Sequence, residues 1–344
     1  MKIDAFDFAL PEGLIAQHPV FPRDSSKLLV VKDGVISNDI SGNLADYVQT
    51  GDVIVFNDTK VIPARIIGKR GEAHIETTLF KRLDRGGNET WECLVKNAKR
   101  LRVGDVIELG SDFSANVLEK SDKVVLEFNK NASDFMISLH TYGIMPLPPY
   151  IRKGHAEAED NESYQTIYAK HKGAIAAPTA GLHFTPQLLE RLKNKGVQFA
   201  YVTLHVGGGT FLPVKVEDTD DHVMHAEFGI IPQETADTIN AAKGQGKRII
   251  SIGTTSLRLI EAASSNEGIV SEFRDYTDIF ITPGYKFKTV DMLMTNFHLP
   301  KSTLFMLVSA FAGLEEMKAG YNQAINNGYR FYSYGDSSLL FKKS

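Results

Sequence analysis

The stretch AIAAPTAGLHFTPQLLERLKNKGVQFAYVTLHVGGG, Ala174 to Gly209, decides the fold class. It opens on a short apolar run with a polar exit at Thr179. Thr185 then caps a helix with Pro186 at its first position, which runs through QLLERLKNK and stops at Gly196. Val202, Leu204 and Val206 alternate with Thr203 and His205, the period-two pattern of a strand. Three glycines follow, where the backbone turns sharply or lets something approach it closely. Strand, helix and strand in succession predict an α/β protein, whose ligands collect outside the carboxyl ends of its strands.

The same rhythm continues downstream. PQETADTINAAKGQG predicts a helix, RIISIG a strand, TTSLRLIEAASS a helix capped by Thr254 or Thr255, DIFITPGY a strand and loop, and KSTLFMLVSAFAG a helix starting at Ser302. Upstream, GDVIVFNDT reads as a strand of the same sheet. Between Pro63 and Tyr150 the pattern changes to ARIIGKR, HIETTLF, TWECLVKN, DVIEL, SANVLEK and DKVVLEF, six short strands, with one helix after Ser133. That predicts a small all-β barrel over 63–150, inserted into a main domain formed by 1–62 and 151–344.

Composition narrows the function. A net charge of −4 gives no bulk signal for nucleic acid, so any basic surface must be local. The single cysteine, Cys93, excludes an intrachain disulfide and cysteine-rich zinc sites. The N-terminal stretch lacks a signal-peptide core, and the longest apolar run, near Leu304–Gly313, is about half of what a membrane span needs. A cytoplasmic chain without membrane contact is expected, and with no coiled-coil seam, a monomer.

Five strand exits carry polar residues: Asn57-Asp58-Thr59, Thr179 to His183, His205 with its glycines, Thr254-Thr255, and Thr295 to His298. Each also has a structural reading, as a turn, a helix cap or a core histidine. His205 is the first candidate for proton transfer, with His183 or His298 second, because imidazole titrates near neutrality. A metal-dependent hydrolase or isomerase built on His183, His205 and His298 is the rival. The fingerprint spacings of P-loops and dinucleotide-binding turns are absent. Between Lys81 and Arg102, seven basic residues face three acidic ones, and this group, including Lys96, Lys99, Arg100 and Arg102, is the candidate RNA-binding stripe.

Together, LIAQHP, GDVIVFNDTKVIPAR, AAPTAGLHFT, VTLHVGGGTFLPV, MHAE, GTTSLR, TNFHLPKSTLFMLVSAF and YRFYSYGD resemble the S-adenosylmethionine:tRNA ribosyltransferase-isomerase family of queuosine biosynthesis. GGG stands where the family pattern has Gly-Ala-Gly, and Ser163 where it has an arginine. The resemblance covers nearly the whole chain and implies a barrel-like α/β main domain with the small barrel inserted. It implies that S-adenosylmethionine serves as ribosyl donor and not as a tightly bound cofactor. The implied acceptor is 7-aminomethyl-7-deazaguanine in a tRNA anticodon loop; the implied products are epoxyqueuosine, adenine and methionine, with no metal. On that chemistry, Thr179, Gly181, Gly207, Gly208, Gly209, Thr254, Thr255 and Asn296 are expected around the donor. Arg258 or Lys301 is expected to meet the methionine carboxylate. Asn57, Asp58 and Arg65 are expected to meet RNA near the domain junction.

Overall fold

A computed structural model describes residues 1–208, 214 and 216–343. Helix Pro186–Asn194 starts as expected, with Thr185 Oγ1 accepting from the Leu188 amide at 3.1 Å. Gly196, at φ +84°, turns the chain into strand Gln198–Leu204. That strand lies parallel to Val53–Asn57, which lies parallel to Ile249–Ile252, itself parallel to Met292–Asn296. These four form the centre of a nine-stranded mixed sheet.

Central parallel strands are covered on both faces and read as continuous apolar runs. Val53 and Val55 point into a core shared with helices Gln233–Gly244, Gly253–Ala262 and Thr303–Ala312. Ile54 and Phe56, one residue out of phase, point into a second core with helix Pro186–Asn194. Antiparallel strands finish the sheet: Glu227–Ile231 and the edge strand Phe273–Thr277 on one side, Ser337–Phe341 on the other, the latter lying parallel to the hairpin strand Lys27–Lys32.

Six antiparallel strands between Arg65 and Phe128 form a barrel closed by pairing of Lys69 with Glu108. Closure leaves no unpaired barrel edge. Its own core holds Leu79, Trp91, Phe113 and Phe128, and helix Ala132–Tyr142 adds Phe135 and Leu139. The chain reaches the barrel through Thr59–Val61 and comes back through His171–Ala174, and these two short strands pair in parallel. The architecture is thus α/β with a closed all-β barrel inserted, as predicted.

Several local expectations differ. AIAAP is not a strand: pairing stops at Ala174, the Ile175 amide bonds the Val206 carbonyl instead, and Thr179–His183 coils into a 3-10 turn. DIFIT is irregular, and the strand lies just before it at Phe273–Thr277. Helix Gly253–Ala262 has no side-chain cap, because Thr254 and Thr255 already sit in its first turn. Asn131, not Ser133, caps the barrel helix, its side chain accepting from the Asp134 amide at 3.0 Å. Among the described residues no helix is long and apolar enough to cross a membrane.

Candidate active site

All four central strands run the same way, so their carboxyl ends open on one edge. There a cavity of about 1590 Å³ separates the sheet from the barrel. His205, Gly207, Thr254, Thr255, Asn296 and His298 line it from the strand ends. Thr179, Arg258 and Lys301 line it from the neighbouring turns and helices.

His205 follows the last residue of its strand and is half-buried on the cavity wall. Its Nδ1 is 2.8 Å from Thr59 Oγ1, and that hydroxyl donates onward to the His171 carbonyl at 3.4 Å. Thr59 takes up Nδ1, and Nε2 is left without a hydrogen-bond partner among the described residues; with the Thr59 proton on the His171 carbonyl, Nδ1–H donates to Thr59 and Nε2 carries the lone pair. Burial, reinforced by neighbouring His171, lowers the imidazole pKa, so the ring is a neutral base at pH 7. Gly173 lies flat against it: a Cβ there would sit 2.8 Å from His205 Cε1.

His183 is placed otherwise. It is 3% exposed, is not on the cavity wall, and uses both ring nitrogens. Nδ1 is 2.7 Å from Ser26 Oγ, and Nε2 accepts from Asn296 Nδ2 at 3.0 Å. Asn296 also donates to the Tyr332 carbonyl and accepts from Thr179 Oγ1, while Ser26 continues the chain to Ser41 and Ser337. This saturated buried network makes His183 a brace behind the wall, with no lone pair to offer a substrate. His298 lines the cavity, bonded through Nε2 to Thr295 Oγ1 at 3.2 Å. Burial pushes its pKa down to about 3, as it does for His183, where the charges of Arg23 and Arg330 add to the effect. Neither is protonated at pH 7, so neither serves as a general acid. Among the described residues no three His, Cys, Asp or Glu side chains are grouped to hold a metal ion, and the committed nitrogens of His183 remove it from the rival ligand set.

Those two imidazoles carry a stability prediction. Each is held neutral in the fold at about 3 and ionises near 6.5 when unfolded. Folded-state pKa values below the unfolded value mean full stability above pH 6.5, lost progressively as pH falls toward 3. Urea unfolding at pH 7.5 and pH 5 should show that loss, and His183→Gln should make it shallower.

The glycines act differently from expectation. Gly181 is buried against Tyr168, whose hydroxyl a Cβ would strike. Gly208 is buried against the barrel, where a Cβ would come within 2.9 Å of Phe80 Cδ2, so its smallness seats one domain on the other. Gly207 does line the cavity, but its amide donates to Glu227 Oε1 at 3.2 Å. Gly209 lies outside the described residues.

Both cations expected to meet a carboxylate ligand already have one from the protein. Arg258 Nη1 donates to Glu227 Oε2 at 2.6 Å, and its Nε to the Ile279 carbonyl. Lys301 Nζ holds Asp4 at 2.7 Å and Asp7 at 3.1 Å. Arg258 Nη2 nevertheless keeps no hydrogen-bond partner among the described residues, and close by the uncapped first turn of helix Gly253–Ala262 faces the cavity with the positive end of the helix dipole.

The expected RNA contacts near the junction are interior. Asn57 donates to the Leu204 carbonyl and accepts from its amide, both at 3.0 Å. Asp58 accepts from Thr203 Oγ1 at 2.6 Å, and Arg65 pairs with Glu76 at 2.9 Å. The basic stripe is split. Lys81 and Arg82 reach the cavity, whereas Lys96 ends strand Thr90–Lys96, about 13 Å along it from Glu92, the partner of Lys81, and Lys99, Arg100 and Arg102 follow it. Lys96 is also tied to Glu76 at 2.9 Å.

Thr59 is visible in the sequence only as part of a polar strand exit, while Gly173 and Glu227 carry no assigned role there; Gly173 gives no signal before the strands are paired. Glu227 ends MHAE, a string that carried the resemblance with no role attached.

The chain matches the queuosine biosynthesis protein family over residues 3–340. A Zymomonas mobilis protein named S-adenosylmethionine:tRNA ribosyltransferase-isomerase is 54% identical to it over 346 residues, covering 100% of both chains. A Caulobacter vibrioides protein of the same name is 53% identical, covering 99% of each. The crystal structure of S-adenosylmethionine tRNA ribosyltransferase from Thermotoga maritima superposes with a TM-score of 0.56 at 36% identity, covering 98% of this chain and 100% of that one.

Proposed function

Since this chain belongs to the queuosine biosynthesis protein family and is an S-adenosylmethionine:tRNA ribosyltransferase-isomerase, we propose that its acceptor is 7-aminomethyl-7-deazaguanine at the wobble position of a tRNA. S-adenosylmethionine gives up its ribosyl part, which is isomerised during transfer. Epoxyqueuosine forms, and adenine and methionine leave. The reaction belongs to the cytoplasm, where tRNA and donor meet, and the chain acts as a monomer.

One observation carries this reading: a neutral imidazole with a free Nε2 on the wall of a single large cavity between sheet and barrel. The sulfonium of the donor acidifies the ribose C5′ protons, and a neutral base must take one. His205 suits that task, since a lowered pKa keeps it unprotonated at neutral pH. The uncapped turn at Gly253–Thr255 suits the methionine carboxylate, with Arg258 beside it, whose Nη1 is held by Glu227 while its Nη2 has no partner among the described residues.

The deciding assay incubates the protein with S-adenosylmethionine and tRNA carrying the aminomethyl base, and measures adenine and methionine together. Equimolar release of both is expected. S-adenosylhomocysteine in their place would identify a methyltransferase and end the proposal.

A further inference from the structure

The edge strand Phe273–Thr277 pairs with Glu227–Ile231 so that Tyr276 lies opposite Phe228 and Arg274 opposite Ile230. Period two sends Phe228, Arg274 and Tyr276 to one face, and all three line the cavity. The Tyr276 ring is edge-on to Phe228 at 5.3 Å, and the Arg274 guanidinium lies 5.9 Å from the Phe228 centroid. Tyr276 is 55% exposed, so its ring face is open to a ligand at the mouth of the cavity. Across the cavity the barrel presents Phe80 with Lys123 Nζ 3.8 Å from its ring centroid, followed by Lys81 and Arg82.

The charges on this rim are unevenly committed. Arg82 is paired with Glu89 and Lys123 with Glu92. Lys81 and Arg274 are exposed and join no ion pair among the described residues. An exposed ring on the sheet lip and an unpaired cation on each lip of one cleft suit unstacked nucleotides: a planar face for a base and positive charge for phosphates.

We propose that this rim is the landing platform for the anticodon-loop nucleotides that flank the base entering the cavity, with Tyr276 stacking on one of them. Arg274 and Lys81 hold the phosphates on either side. The proposal rests on the reading that a tRNA base is the acceptor, and it moves the RNA contact from the distal Lys96–Arg102 group to the cavity mouth. Proximity is the physical reason. A base drawn into the cavity leaves its neighbours within a nucleotide or two of the rim, whereas Lys99 and Arg100 follow the Lys96 end of strand Thr90–Lys96 and do not line the cavity.

The test titrates the full chain with a fluorescent anticodon stem–loop RNA bearing unmodified guanosine at the wobble position, which binds without turnover. Tyr276→Ala and Arg274→Ala should each weaken binding by about tenfold, the size of one lost stacking or phosphate contact. Tyr276→Phe should restore it, because stacking needs the ring and not the hydroxyl. Both side chains are exposed, and an unchanged melting temperature checks that the variants fold. Binding within twofold of wild type for both alanine variants would overturn the platform, as would a loss confined to Lys99→Glu and Arg100→Glu. A wild-type chain that binds RNA through Tyr276 yet releases no adenine and methionine would uphold the platform and defeat the proposed chemistry. Release of both products with Tyr276→Ala still binding normally would do the reverse.

Discussion

Replacing His205 by alanine is expected to lower turnover by about 10²–10⁴-fold, the range a positioned general base contributes. The chain should still fold, because the ring is only half-buried and makes one hydrogen bond, to Thr59. RNA binding should be unaffected. Thr59→Val should cost less, roughly tenfold, since it removes the partner that fixes the tautomer while leaving the base in place. The pH profile supplies an independent check. A folded-state pKa below the ordinary 6.5 keeps the ring neutral down to that lowered value, so the acid limb of the rate profile should fall below pH 6.5. Turnover of the alanine variant within threefold of wild type would remove His205 from the mechanism.

The second large effect is expected at Arg258 and Glu227. Their side chains are 7% and 11% exposed and meet at 2.6 Å, and Glu227 also holds the Gly207 amide. Cutting one partner from a pair this deep leaves a charge without solvent or counter-ion, at a cost of about 3–5 kcal/mol. Arg258→Ala should therefore lower the unfolding free energy by that amount in urea. Removing both charges together, with Arg258→Met and Glu227→Leu, should recover much of the loss, because the lone charge is gone. If the single substitutions each cost under about 1 kcal/mol and add, the two side chains are not coupled. A ligand-facing role for Arg258 would then return to consideration.

Much of the architecture was readable because local patterns and tertiary demands agree. The alternation from Val202 to Val206, the Thr185-Pro186 helix start and the turn-rich segment between Pro63 and Tyr150 each obey rules that act over a few residues. The failures sit where a long-range partner decides. Phe273–Thr277 is a strand with exposed Arg274, Asp275 and Tyr276, so its polar edge hid it, while apolar DIFIT beside it drew the prediction. His183 and His205 look alike in sequence, each at a strand exit. Only the packing of Asn296 and Ser26 around one, and of Thr59 and Gly173 around the other, separates a brace from a base. The basic cluster looks continuous because Lys81 and Arg100 are near in sequence. An extended strand carries its two ends far apart, and that distance divided the cluster in space.

The parallel pair of Thr59–Val61 and His171–Ala174 has a mechanical side. One strand leads out to the inserted barrel and the other leads back. The imidazole of His205 is gripped between them, by the Thr59 hydroxyl on the outgoing strand and the bare Gly173 backbone on the returning one. The insert is therefore no detachable accessory. Excising it and splicing the cut ends would strip the ring of its footing, and any tilt of the barrel about this stalk is delivered to the nitrogen that takes the proton.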